Sequence, residues 1–150
     1  MSQSLDVEMS RYLNQVAQLP CCRHVILFTS DGLIQAKSDD ISRDVADTVA
    51  AALSGMRSIS EVLAEFCGTT ELRWNRTIVD LDGNTVELFA AGANSYLAVS
   101  ISAPLDDNAV AMVSYSAAKA ANAMRHHLGS AKREQNAPAP HPESLESPVE

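Results

Sequence analysis

Residues 24–40 read HVILFTSDGLIQAKSDD. Val25, Ile26, Leu27 and Phe28 are apolar at consecutive positions. Successive side chains of a strand point to opposite faces, so a strand here must be covered on both sides. Ser30-Asp31-Gly32 then supplies turn chemistry, with Gly32 free to take positive φ. The next strand, LIQAK at 33–37, sets Gln35 and Lys37 on one face. One polar face and a short length suit the edge of a sheet. The stretch therefore predicts a hairpin of one interior and one edge strand, in a sheet with helices on both faces.

Working outward, Leu5, Met9, Tyr12, Leu13, Val16 and Leu19 recur at helical spacing, and Pro20 ends that helix. After the hairpin, a long helical pattern runs from Ser42 to Phe66. Its large apolar stripe is Val45, Val49, Ala52, Met56, Ile59, Leu63 and Phe66, which is expected to face the sheet. Asp39, Asp40 and Ser42 offer N-caps, Asp44 and Asp47 suit the helix dipole, and Gly68 marks the stop. Three strands follow. LRWNRTIVDL sets Trp74 and Ile78 on one face, with Thr77, Val79 and Leu81 on the other. TVELFAA comes after an Asp82-Gly83-Asn84 turn, and YLAVSIS after Gly92-Ala93-Asn94-Ser95. Asp106 and Asp107 cap a last helix with the stripe Val110, Val113, Ala117, Ala120, Met124 and Leu128. The order is α-β-β-α-β-β-β-α. Short turns between strands mean antiparallel pairing, so the class is α+β in three layers, α/β/α.

The chain is expected to hold one domain over residues 1–128 and a disordered, proline-rich acidic tail over 129–150. Four of the six prolines lie in that tail, which has few large apolar residues to offset the entropy of ordering. The formal net charge of −8 argues against a nucleic-acid face or an anionic membrane surface. No apolar run approaches a membrane span, and MSQSLDVEMSRYLNQ has no signal-peptide h-region, so a cytoplasmic location is expected.

Searching the residues for chemistry predicts no enzyme, no metal and no cofactor. Cys21, Cys22 and Cys67 lack zinc-ligand spacing. A reactive Cys22, activated by Arg23 or His24, is the alternative to small apolar residues at element ends. His126 and His127 are adjacent on a helix and point about 100° apart. Asp80 and Asp82 flank a turn, Ser30-Asp31-Gly32 has no nearby base, and no Gly-rich phosphate loop occurs.

The VILFTSDGLIQAKS hairpin, the Ala-rich helix with ALSGM, the TIVDLDG strand and turn, and LAVSIS running into a capped helix together resemble the roadblock/LC7 family. The likeness covers Leu5 to Leu128. It is nearest to bacterial roadblock proteins encoded beside a sensor kinase and a Ras-like GTPase in actinobacterial conservons. The resemblance implies a five-stranded antiparallel sheet, with the long helix on one face and the terminal helices on the other. It implies homodimers in which third strands meet edge to edge and second helices lie side by side. It also implies a regulator or scaffold for a small Ras-like GTPase, which the residues leave without catalytic groups of its own; any membrane recruitment is expected through partners.

The long helix, near ~37 Å at 1.5 Å per residue, would overhang a sheet ~20–24 Å wide. A second, small-residue stripe on it is the expected dimer seam: Ala46, Ala50, Leu53, Ser54 and Arg57, joined by Trp74 and Ile78 from the third strand. Arg43, Asp47, Arg57 and Glu61 are the expected GTPase-facing residues. Arg57 also invites an arginine-finger reading, against which a mid-helix packing or ion-pair role is weighed. The runner-up class is a small-ligand sensor of PAS or GAF layout, which would need convergent polar groups inside the core.

Overall fold

In the computed structural model the described residues are 2–70, 74–92, 94–102 and 106–136; the side chains of 2–6, 57, 60, 61 and 127–136 lie outside the description. The elements are α1 (Ser2–Ala17), β1 (Cys22–Thr29), β2 (Ile34–Lys37), α2 (Arg43–Phe66), β3 (Arg76–Leu81), β4 (Asn84–Ala90), β5 (Ser95–Ser102) and α3 (Asp107–Asn136). All strand pairs are antiparallel, in the order β2-β1-β5-β4-β3. The apolar β1 strand is interior, as its sequence requires, and β2 lies at one edge with β3 at the other.

Period-2 alternation sorts β1 and β5 onto two cores. Val25, Leu27, Leu97, Val99 and Ile101 face α1 and α3, where they meet Met9, Leu13, Val113, Ala117 and Met124. Ile26, Phe28, Tyr96 and Ala98, with Leu88 of β4, face α2. The three-layer arrangement expected from the sequence is the one observed.

At its start, α2 is capped by Ser42, whose hydroxyl accepts from the Val45 amide at 3.3 Å. Its orientation differs from expectation. Ala46 and Ala50 are fully buried and Leu53 nearly so, all against the chain's own sheet. Val45, Ile59, Leu63 and Phe66, expected inside, are exposed. The reason is volume. The sheet face beneath α2 is filled by Phe28, Tyr96, Ile26 and Leu88, and two aromatic pairs crowd it further, Phe28–Tyr96 at 5.7 Å and Trp74–Tyr96 at 5.6 Å between centroids. Close packing leaves room for only a methyl at Ala46 and Ala50, with Leu53 the one large helix side chain enclosed beside them. The same close approach shows at Gly32 (φ +80), where a Cβ would sit 3.1 Å from the Ala51 Cα.

Two further differences concern boundaries. Trp74 precedes β3, so strand alternation does not extend through it. It packs on the α2 side against Tyr96, its indole N–H donating to the Thr77 hydroxyl at 2.9 Å. Ile78 pairs with Glu87, which bonds to Ser114 of α3, so Ile78 lies on the opposite face from Trp74. The helix α3 runs through the expected domain end at 128 to Asn136. Ala131, Lys132, Arg133, Glu134 and Gln135 are good helix formers and outweigh one interior glycine, Gly129. The rest of the expected tail, residues 137–150, lies outside the described residues.

Candidate functional site

The exposed surface of α2 and the free edge of β3 form the most unusual part of the molecule. Helix residues packed in the core beneath α2 are Ala46, Val49, Ala50, Leu53 and Met56. Beyond Met56, the described apolar side chains Ile59, Val62, Leu63 and Phe66 are exposed, Phe66 to 89%. The helix therefore overhangs its sheet. With Val45, these residues make an apolar band along α2, and an apolar band of that kind on a surface marks an interaction site more often than not.

Which way the band looks follows from helix geometry. Ala51 and Ser54 lie beside Gly32 in the β1–β2 turn, so that flank of α2 faces β2. Val45, Val49, Met56 and Leu63 lie well over 100° round the helix from Ala51, at 100° per residue, and so face the β3 side. On that side of the sheet β3 presents Thr77, Val79 and Leu81, because they pair opposite Leu88, Val86 and Asn84. Leu81 is exposed and Val79 half-buried. Val45 and Leu63 of the band thus continue into the strand edge, while Ile59 and Phe66 lie nearer the outer crest of the helix and Val62 towards the Ala51 flank.

The expected seam residues are dispersed by the fold. Ala46, Ala50 and Leu53 are enclosed in the chain's own core. Ser54 is half-buried and donates to the Ala51 carbonyl at 2.8 Å. Trp74 is half-buried beneath α2, and Ile78 is exposed on the other face of β3. Arg43 and Asp47 are exposed and paired to each other at 3.3 Å, on the flank of α2 nearer the β1–β2 turn. The side chains of Arg57 and Glu61 lie outside the described residues. Val45, Ile59, Val62, Leu63, Phe66 and Leu81 were missed as surface residues. The signal that could have found them is the pair of competing stripes on α2, one of alanines and one of large residues.

The candidate chemical groups are placed as follows. Burial, and after it the negative charge of Asp40, pushes the Cys22 thiol up to about 12, so it is protonated and unreactive near neutral pH. His24 Nδ1 lies 3.2 Å from Asp40 Oδ1. Partial burial works upward on the Asp40 carboxyl, but hydrogen bonds from His24 and Ser38 and the charge of His24 outweigh it and hold the group below its usual value. Three hydrogen bonds tie buried polar side chains among the described residues into the fold, while Glu87 Oε2 is buried without one. The Ser38 hydroxyl accepts from the Val25 amide, Ser95 donates to Gln35, and Ser114 donates to Glu87 at 2.8 Å. They lie apart and do not converge on a ligand cavity, as a sensor core would require. No helix among the described residues is long and apolar enough to cross a membrane.

The family model of the Roadblock/LC7 domain matches residues 10–100. No curated protein matches the sequence. Among solved structures, a Roadblock/LC7 domain from Streptomyces avermitilis is similar at 23% identity and a TM-score of 0.70, covering 79% of this chain and 96% of that one. The gliding protein MglB of Thermus thermophilus is similar at 15% identity and a TM-score of 0.67, covering 81% and 91%. A structure described as MglB with a tetrameric arrangement is similar at 16% identity and a TM-score of 0.68, covering 81% and 90%. At these identities the likeness establishes the fold.

Proposed function

This chain belongs to the Roadblock/LC7 family, and we propose that it is a non-catalytic regulator or scaffold that homodimerises and binds a small Ras-like GTPase, in a bacterial signalling system with a sensor kinase. The observation that carries the reading is the apolar band of α2 running into the free edge of β3. Both halves of that surface are unfinished. The strand edge has unpaired backbone groups, and the helix exposes Ile59, Val62, Leu63 and Phe66. A second copy related by a two-fold axis completes both at once, since an isologous contact lets β3 pair antiparallel with β3 while the bands pack side by side. The tetrameric arrangement described for one MglB structure supports self-association as a habit of this fold.

With the β3-side flank occupied, the other flank of α2 remains open. It carries Arg43, Asp47 and Ala51, beside exposed Leu33 of the β1–β2 turn. This mixed polar and apolar flank is the face proposed for the GTPase, with Arg57 and Glu61 as further candidates on the same helix. The GTPase class itself comes from the family. The residues described offer no activated nucleophile, so an effect on hydrolysis would act by biasing the partner's switch loops. The test is co-purification with a small Ras-like GTPase loaded with GDP or with a non-hydrolysable GTP analogue, followed by hydrolysis assays with Arg57→Ala and Asp47→Arg. Binding in one nucleotide state, weakened by Asp47→Arg, is expected. No complex in either state refutes the reading, and hydrolysis lost only in Arg57→Ala would make that arginine a donated catalytic group.

A further inference from the structure

On the far side of the sheet from α2, a groove of about 410 Å³ runs between α1 and α3. Tyr12, Val16 and Leu19 line it from α1 and the turn that follows; Tyr115, Lys119 and Ala123 line it from α3. Tyr115 is 70% exposed, and Arg11 lies over the Tyr12 ring at 5.7 Å. The lining holds one cation and no carboxylate. Aromatic walls, an apolar floor and a single cation are the chemistry that receives an acidic, extended segment with large apolar side chains spaced along it.

This chain carries such a segment. Residues 137–150 read APAPHPESLESPVE, with Glu143, Glu146 and Glu150, two large apolar residues in Leu145 and Val149, and no lysine or arginine. The segment lies outside the described residues, and the helix before it ends at Asn136. Its reach is sufficient. From Ala123 to Asn136 α3 covers ~20 Å, and from Tyr115 to Asn136 ~32 Å, at 1.5 Å per residue. An extended chain at ~3.1 Å per residue carries Leu145 ~28 Å and Val149 ~40 Å from Asn136. Each can therefore turn back to the groove, with about 8 Å to spare for the reversal.

We propose that residues 143–149 dock in the α1–α3 groove of the same chain, with Leu145 and Val149 against Tyr12 and Tyr115 and Glu146 beside Lys119. The composition of the segment cannot order it alone. Tethering supplies what weak contacts lack, because a short linker presents the segment at an effective concentration near the millimolar range. The docked segment covers the α1–α3 side, opposite the surface assigned to self-association, so this inference stands or falls independently of the GTPase reading.

The experiment uses the full ¹⁵N-labelled chain and reads heteronuclear NOEs of residues 143–149 at two protein concentrations, in the wild type and in Lys119→Glu, Leu145→Ser and the charge-swapped Lys119→Glu/Glu146→Lys. The docked segment gives NOEs well above those of a free chain at both concentrations. Lys119→Glu and Leu145→Ser are expected to lower the docked fraction at least twofold, and the charge swap to restore it. Dispersed sheet amides confirm that each variant is folded. Free-chain NOEs in the wild type, or values that both single variants leave unchanged, would overturn the proposal. So would ordering that appears only at the higher concentration, which would place the segment on a second copy.

Discussion

Ile59 and Leu63 stand one turn apart on the exposed band of α2, with 64% and 50% of their surfaces accessible. Replacing both with serine should dissolve the dimer while leaving the protomer intact. Full burial of such a side chain is worth ~1.5–3 kcal/mol, so burying the accessible half or more of each recovers ~1–1.5 kcal/mol per residue. An isologous contact counts every residue twice, giving ~4–6 kcal/mol for the pair. Area-based figures are upper estimates, so about half of that, ~2–3 kcal/mol, is the safer expectation. At 1.4 kcal/mol per factor of ten, the dimer dissociation constant rises by roughly a hundredfold. Sedimentation equilibrium across a dilution series measures it, and circular dichroism of the monomeric species checks the fold. An unchanged dissociation constant would refute the orientation of the interface. Loss of helical signal in the isolated protomer would show that these residues support the chain's own core instead.

Ala50 is fully buried on the inner face of α2, so Ala50→Leu should cost ~1–3 kcal/mol through overpacking, whereas exposed Ala52→Leu should change stability by less than ~0.5 kcal/mol; urea titration compares them. At pH 8, iodoacetamide should modify exposed Cys67 readily and Cys22, with its thiol pushed up to about 12, only after unfolding; peptide mass mapping against time reads this. The lowered Asp40 carboxyl contributes stability above its ordinary value of 3.8 and loses it as pH falls through the folded value. Asp40→Asn should therefore flatten the acid limb of the stability curve slightly, an effect kept small by the exposure of the pair.

Much of this architecture is legible in the sequence, because local signals decide it. Four consecutive apolar residues at 25–28 force a two-sided strand, and Gly32 and Gly83 mark turns where the backbone takes positive φ. The rotation of α2 is not local. Periodicity finds two stripes on that helix, and choosing between them depends on the bulk of Phe28 and Tyr96 on strands far away in sequence. Trp74 illustrates a second limit: alternation predicts a face only once the strand has begun, and β3 begins two residues later. Gly129 illustrates a third, since a lone glycine among good helix formers lowers helix stability without ending the helix. The site inherits the first of these problems. Exchanging the stripes of α2 moved Ala46, Ala50 and Leu53 into the core and brought Ile59, Leu63 and Phe66 to the surface.

The position of β5 at the centre of the sheet sets a condition on how the protein is made. Its partner β1 is the first strand of the chain, and the register joins Thr29 to Ser95 and Cys22 to Ile101. Until residue 102 is available, β1 has β2 on one side and an open edge on the other, with Val25 and Leu27 lacking their cross-strand neighbours. Contacts of such long sequence separation slow folding, and an unpaired apolar edge invites pairing with other chains. Synthesis that stalls between β4 and β5 should therefore yield an aggregation-prone intermediate, and the keystone strand arrives last.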